Sequence, residues 1–218
     1  MTRLFERFME AEDKFGGIPT ATCRGERWLL YAMASHGQNI LPQCTAMEVG
    51  TAWGRSAATV AHARAILTQE PLWCVDIWEK YIDWNGTPAH IEIDDCIKRM
   101  REAGVRENLA FIKTPSTQVA SIWYREFNYL FIDGCHDPEM ILHDVKEFGR
   151  RAHFQAPILC HDYALNKEMK EAIDKGGEAV GRKVTNFNNL ALLFFPGAGL
   201  KDIWETNVEI WRKEGKGE

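Results

Sequence analysis

Five short apolar runs, each closed by a polar residue or a glycine and each followed by a helix-length stretch, constrain this chain more than any other feature. Thr45-Ala46-Met47-Glu48-Val49 stops at Gly50, and Leu72-Trp73-Cys74-Val75 stops at Asp76. Leu109–Ile112 leads into a Thr114-Pro115-Ser116 turn, Tyr129-Leu130-Phe131-Ile132 stops at Asp133, and Ile158-Leu159-Cys160 stops at His161-Asp162. Brief continuous apolar runs are what strands buried on both faces look like. Their alternation with helices predicts a parallel sheet covered on both sides. Right-handed crossovers then bring every strand's C-terminal end to one edge, where open α/β sheets bind ligands. The polar residues that close the runs therefore belong to one edge, and chemistry is expected there.

The intervening and flanking segments carry helix signals. Asp137–Arg150 starts with Asp137 as N-cap and Pro138 at the first helical position, and Ile141, Val145 and Phe148 form one apolar stripe. Residues 1–43 read as helical, broken at Gly16-Gly17-Ile18-Pro19; the second piece, Arg24–Ser35, brings Trp28, Leu29, Tyr31 and Ala32 toward one face. Near the other end, Lys183–Phe187 and Leu190–Phe195 are separated only by Asn188-Asn189, too short for a crossover helix, so these strands are expected to be antiparallel. Leu200–Trp211 then reads as a helix with Ile203, Trp204, Val208 and Trp211 as its apolar set.

Length and charge narrow the classes. A chain of 218 residues suits one α/β unit: a helical cap over 1–43, a ligand-binding domain over 44–198 and a C-terminal helix and tail over 199–218. A formal net charge of -5 argues against a nucleic-acid backbone or an anionic membrane as partner. No apolar stretch approaches the roughly 20 residues that span a bilayer. The first nine residues mix Arg3, Glu6 and Arg7 with Leu4, Phe5 and Phe8, an amphipathic helix rather than a signal-peptide core. Six cysteines without a CxxC pair fit reduced thiols, so a cytoplasmic protein is expected. A homo-oligomer is compatible with all of this.

The segment MEVGTAWGRSAATV (47–60) is a strand, a glycine turn and a helix start. Gly50 and Gly54 let backbone approach a ligand closely, and the helix amides can bind a carboxylate. A tight βα turn that binds nothing has the same composition. The spacing is not GxGxxG, which argues against a nicotinamide fingerprint. Asp76, closing the next strand, can accept hydrogen bonds from two ribose hydroxyls, or it can serve as a cap or a solvated acid.

With these motifs the chain resembles a class I S-adenosylmethionine-dependent methyltransferase from about Ala46 to Phe195. More narrowly it resembles the metal-dependent small-molecule O-methyltransferases, namely the catechol O-methyltransferase group and the macrolide and cephalosporin tailoring enzymes. EVGTAWGRS is similar to that family's first cofactor motif. The resemblance implies a Rossmann-like sheet with a terminal antiparallel hairpin and helices on both faces. It also implies that Glu48, Gly50, Thr51, Gly54 and Ser56 surround the methionine moiety of S-adenosylmethionine and that Asp76 holds the ribose. Ser116 and Thr117 would flank the adenine, with Gly134 and Cys135 on its other side, although Ser116 could equally cap a helix.

FNYLFIDGCHDPE (127–139) and APILCHDY (156–163) place Asp133 and His161-Asp162 at the ends of neighbouring strands, which lie about 4.8 Å apart, so their side chains can converge on one ion. In the family an acid and an acidic or amide pair at these places bind a divalent cation. Asp133 and Asp162 match, whereas His161 replaces a carboxylate. Magnesium prefers oxygen ligands and imidazole suits softer ions, so either the metal is softer, or His161 is no ligand, or the site holds none. A rival Cys/His zinc site from Cys135-His136 and Cys160-His161 has no counterpart in the family. His136, three residues after Asp133, stands where the family places its general base. An imidazole titrating near about 6.5 suits deprotonation of a hydroxyl at neutral pH. A surface residue at a helix start is the plainer reading.

The segment 77–90, IWEKYIDWNGTPAH, is long and aromatic. Trp78, Tyr81 and Trp84, with His90, either form a lid over a flat or sugar-like acceptor or pack on the N-terminal helices. The expectation as a whole is methyl transfer to a small-molecule hydroxyl, assisted by a His base and a divalent metal. Metal-independent N-methylation and a non-catalytic cofactor-binding module are the alternatives.

Overall fold

The computed structural model describes residues 2–65, 68, 70–82, 88–105 and 108–215. Two helices, α1 (Arg3–Phe15) and α2 (Arg24–Ile40), precede β1 (Thr45–Val49), α3 (Arg55–Arg64) and β2 (Leu72–Asp76). Two short strands follow, β3 (Lys80–Ile82) and β4 (Pro88–His90), and then α4 (Ile93–Glu102), β5 (Leu109–Lys113) and α5 (Ser116–Ile122). The alternation continues through β6 (Phe127–Ile132), α6 (Pro138–Gly149), β7 (Ile158–Cys160) and α7 (Lys167–Ala179). It ends with β8 (Lys183–Phe187), β9 (Leu190–Phe194) and α8 (Leu200–Glu214).

Seven strands form one sheet in the order β5-β2-β1-β6-β7-β9-β8. The pairs from β5 to β7 are parallel, and β9 runs antiparallel to both β7 and β8. This is the Rossmann-like sheet with a terminal hairpin that the apolar runs and the Asn188-Asn189 connection imply. The period of two along the strands divides the core into two layers. Ala46 of β1 and Tyr129 and Phe131 of β6 pack with α1, α2, α3 and α8, whereas Met47, Val49, Leu130 and Ile132 pack with α6 and α7. Each fully buried side chain of this size contributes about 1.5–3 kcal/mol.

Local chemistry explains the helix ends. The Asp137 carboxylate accepts from the amides of Glu139 and Met140 with Pro138 in the first turn, and Asn166 caps α7 through the amide of Met169. The terminal helices share a core with the sheet. Phe5 of α1 meets Trp28 of α2 edge-on at 5.0 Å, and the Trp28 indole N–H donates to the backbone of Asn207 in α8 at 2.9 Å. Glu12 of α1 bridges Arg27 of α2 at 2.7 Å and Arg55 of α3 at 3.1 Å, all three buried.

The segment 77–90 differs from a plain loop: β3 and β4 pair antiparallel, Lys80 opposite His90 and Ile82 opposite Pro88. A strand of three residues is too short for its periodicity to register in sequence. Trp78 is only 2% exposed, so it is core and no lid. Trp84 lies outside the described residues, as does the side chain of Tyr81. Among the described residues no helix is long and apolar enough to cross a membrane.

Candidate active site

Strand register gathers the run-ending residues. Val49 pairs with Val75 on one side and Ile132 on the other, and Ile132 pairs with Cys160. The next backbone bonds continue the ladder: the Gly50 amide donates to Val75, that of Asp133 to Val49, and that of His161 to Ile132, at 2.8, 2.7 and 3.0 Å. Gly50, Asp76, Asp133 and His161 thus stand side by side along one rim. Four non-glycine residues with left-handed backbone, Ala52, Trp78, Asp162 and Asn188, occur at this rim or the adjoining hairpin. Strain of this kind persists where surrounding structure holds it, commonly at functional sites.

In the turn after β1, Gly50 and Gly54 have φ of 87° and 89°. The close approach they allow is made by the protein itself. A Cβ on Gly50 would fall 2.0 Å from the Asp133 carbonyl oxygen, and one on Gly54 would fall 2.0 Å from the Met100 methyl. Gly50 therefore lets the end of β6 press against the turn. Asp76 ties the turn from the other side, accepting from the amides of Ala52 at 2.8 Å and Trp78 at 2.9 Å. The Trp78 indole N–H donates to the Ala52 carbonyl at 3.1 Å. Ile77, beside Asp76, leaves an apolar side chain 43% exposed at this edge.

Beneath the turn Glu48 is fully buried, with Ser56 donating to Oε1 and no partner for Oε2 among the described residues. Burial, reinforced by Asp133 and Asp76, pushes its carboxyl up to about 8 against the Ser56 bond. Thr51 is buried beside it, and no side chain caps α3. The orphan oxygen and the open helix N-terminus fit the amino and carboxylate groups of a bound methionine moiety. Ser116 and Thr117 are half-buried at the start of α5. Gly134 touches the Gly50 position, and Cys135 is exposed.

Around Asp133 the rim is made of side chains. His161, 5% exposed, has Nδ1 at 3.2 Å from both Asp133 Oδ1 and Asp162 Oδ1. Its Nε2 lies 3.4 Å from Glu26 Oε2 of α2. Burial alone would lower its pKa, but the carboxylates of Asp133, Asp162 and Glu26 hold it well above its usual value. Both ring nitrogens of His161 thus face carboxylates, Nδ1 toward Asp133 and Asp162 and Nε2 toward Glu26, which favours the imidazolium form. The imidazolium in turn holds Glu26 below the usual carboxylate range against burial. Asp162 is lowered likewise, by His136 and His161. Burial raises Asp133, opposed by His161.

His136 faces outward, 61% exposed, with Nε2 at 2.9 Å from Asp162 Oδ2. That hydrogen bond raises its pKa despite partial burial. One ligating atom each from Asp133, His136 and Asp162 lie within 4.8 Å of one another. Two carboxylates and an imidazole suit a divalent cation softer than magnesium. The expected ligand His161 sits between the same two acids, with Nδ1 3.2 Å from each, so both imidazoles border the group. Cysteine has no part in the group: Cys160 is buried in the α6–α7 layer and Cys135 is exposed.

Two contributors have no signal in the chain's motifs. Glu26 accepts from the Cys23 amide at 2.9 Å and the Asn189 amide at 3.0 Å in addition to facing His161. Asn189, in the β8–β9 turn, donates from its side chain to Asp162 Oδ1 at 3.0 Å.

A family of proteins described as a methyltransferase domain matches residues 47–163, more than half of the chain. No curated protein matches it significantly by sequence. Solved structures resemble it at low identity. The O-methyltransferase NovP superposes with a TM-score of 0.65 at 10% identity, covering 78% of this chain and 79% of NovP. The O-methyltransferase TomG from Streptomyces achromogenes, involved in tomaymycin synthesis and solved with S-adenosylmethionine, gives 0.59 at 14%, covering 90% and 91%. The O-methyltransferase from Bacillus cereus in complex with S-adenosylhomocysteine gives 0.57 at 11%, covering 87% and 90%. At such identities the likeness is one of fold.

Proposed function

The chain belongs to the methyltransferase-domain family as a class I S-adenosylmethionine-dependent enzyme, and from that premise we propose that it methylates a hydroxyl oxygen of a small molecule with His136 as general base. The observation that carries this reading is the His136–Asp162 pair, open to solvent on the strand end that packs against the glycine turn. When bound, S-adenosylmethionine supplies an electrophilic methyl carbon whose bond to sulfur breaks as the hydroxyl oxygen attacks. The α3 amides and Glu48 would hold its methionine end, Asp76 its ribose, and Ile77 would offer an apolar face to the adenine. Ser116, Thr117, Gly134 and Cys135 remain the proposed adenine neighbours. With Nε2–H donated to Asp162, the imidazole presents Nδ1 as the atom that accepts the hydroxyl proton. The O-methyltransferase activity of the structural neighbours supports oxygen as the target.

The 4.8 Å grouping favours a second reading, in which Asp133, His136 and Asp162 hold a divalent cation. The cation would lower the hydroxyl's pKa as a Lewis acid, and His136 would then serve as its ligand. Both readings are tested with labelled S-adenosylmethionine and a panel of phenols, catechols, sugars and their amino-substituted counterparts. The first expects methyl ethers formed equally well after EDTA, and the second expects EDTA to abolish them. Products methylated at nitrogen alone would overturn both.

A further inference from the structure

We infer that Glu26, from the N-terminal helical pair, is a positioning residue for methyl transfer that sets the orientation of His136 through His161 and Asp162. The inference rests on the reading of His136 as base and goes beyond it, because Glu26 lies 110 positions before that residue in a segment outside the family match.

The geometry is a chain of charge-assisted contacts. Glu26 Oε2 faces His161 Nε2 at 3.4 Å, His161 Nδ1 faces Asp162 Oδ1 at 3.2 Å, and Asp162 Oδ2 meets His136 Nε2 at 2.9 Å. The first three members are 3%, 5% and 8% exposed, while the fourth opens to solvent. A buried carboxylate is costly unless its oxygens are satisfied, and Glu26 meets that demand with the Cys23 and Asn189 amides and the His161 ring. An imidazole with a carboxylate at each end cannot flip or rotate without leaving one of them unpaired. His161 is thereby fixed, and it fixes Asp162, whose backbone is held left-handed at φ 61° and whose Oδ1 also accepts from Asn189. The oxygen left for His136 then points one way. Partners behind the group that touches the reactant commonly decide its aim in this manner.

Glu26→Gln keeps the size and an acceptor for Asn189 but replaces the charge facing His161 by an amide. The expected result is a fall in kcat of about tenfold for the phenolic acceptor turned over in the panel, with calorimetric affinity for S-adenosylmethionine within about twofold of wild type. In a His136→Ala background the same substitution should change kcat by less than about twofold, because its effect passes through the missing ring. A purely structural Glu26 would lower both backgrounds alike, and that outcome overturns the inference, as does unchanged kcat in the single variant. Should Glu26→Gln fail to fold, Asn189→Ala releases Asp162 from the other side. It should reproduce the loss in the wild-type background only, and equal losses in both backgrounds, or none, would again overturn it. If His136→Ala alone keeps full turnover, the base assignment itself has failed, a result distinct from either.

Discussion

Along the rim, the half around Gly50 and Asp76 is built mostly from backbone, whereas the half around Asp133 and Asp162 is built from side chains. Asp76 spends its carboxylate on the amides of Ala52 and Trp78, and Gly50 on room for the Asp133 carbonyl. In the other half Glu26, Asp133, His136, His161, Asp162 and Asn189 hold one another, and partners such as His161 and Glu26 are 135 positions apart. A backbone cradle tolerates change in side chains that do not bind. A side-chain network is coupled, so losing one member changes the rest. The first half is therefore expected to govern cofactor affinity, and the second the rate.

The largest effect expected from that division is at His136. His136→Ala should lower turnover by about 10²-fold, near 2.7 kcal/mol of barrier, with cofactor affinity unchanged by calorimetry. In the wild type the rate should rise with pH as the imidazolium loses its proton, with its inflection above the ordinary histidine value, because Asp162 stabilises the charged ring. Asp162→Asn should move that inflection down. A variant that loses affinity and keeps its rate constant would break the division.

The mirror experiment is Asp76→Ala, with a smaller expected effect. Loss of charge-assisted bonds to ribose, about 1.5–3 kcal/mol, should weaken S-adenosylmethionine at least tenfold while kcat at saturation changes much less. Unchanged affinity would mean that the carboxylate serves only the amides of Ala52 and Trp78.

The same contrast of length scales explains what could be read from sequence. Strand ends and the glycine turn are local: Val49-Gly50 or Ile132-Asp133 is legible as an apolar run meeting a polar residue, and the sheet's topology follows from run and helix lengths. The residues proposed from those ends, Asp133, His136, His161 and Asp162, do lie together. The support behind the cluster was not legible, because Glu26 reaches His161 only in the folded chain, and nothing in the first turn of α2 distinguishes that acid from one placed there for the helix dipole. Asn189 reads as a hairpin turn residue, which it is, and its contact with Asp162 exists only once the sheet has formed. Trp78 could not be assigned as lid or core, since its burial depends on a left-handed backbone and the Ala52 carbonyl.

Glu48 sits where the two halves meet and gives the smallest expected effect. Its carboxyl keeps a proton in the folded protein up to about pH 8, whereas its ordinary value is 4.5. Folding takes up that proton between the two values, so the stability linked to it is complete below about 4.5 and declines as pH rises toward 8. Glu48→Gln keeps a neutral group in both states and should flatten the decline, with the melting temperatures of variant and wild type diverging progressively as pH rises from 5 to about 8. Its kcat should stay close to wild type, because Glu48 lies beneath the turn and outside the chain of contacts that ends at His136. Parallel melting curves would mean that Glu48 is already ionised in the fold. The unpartnered Oε2 would then be an anion awaiting an ammonium group, and the variant should instead show its main loss in S-adenosylmethionine affinity.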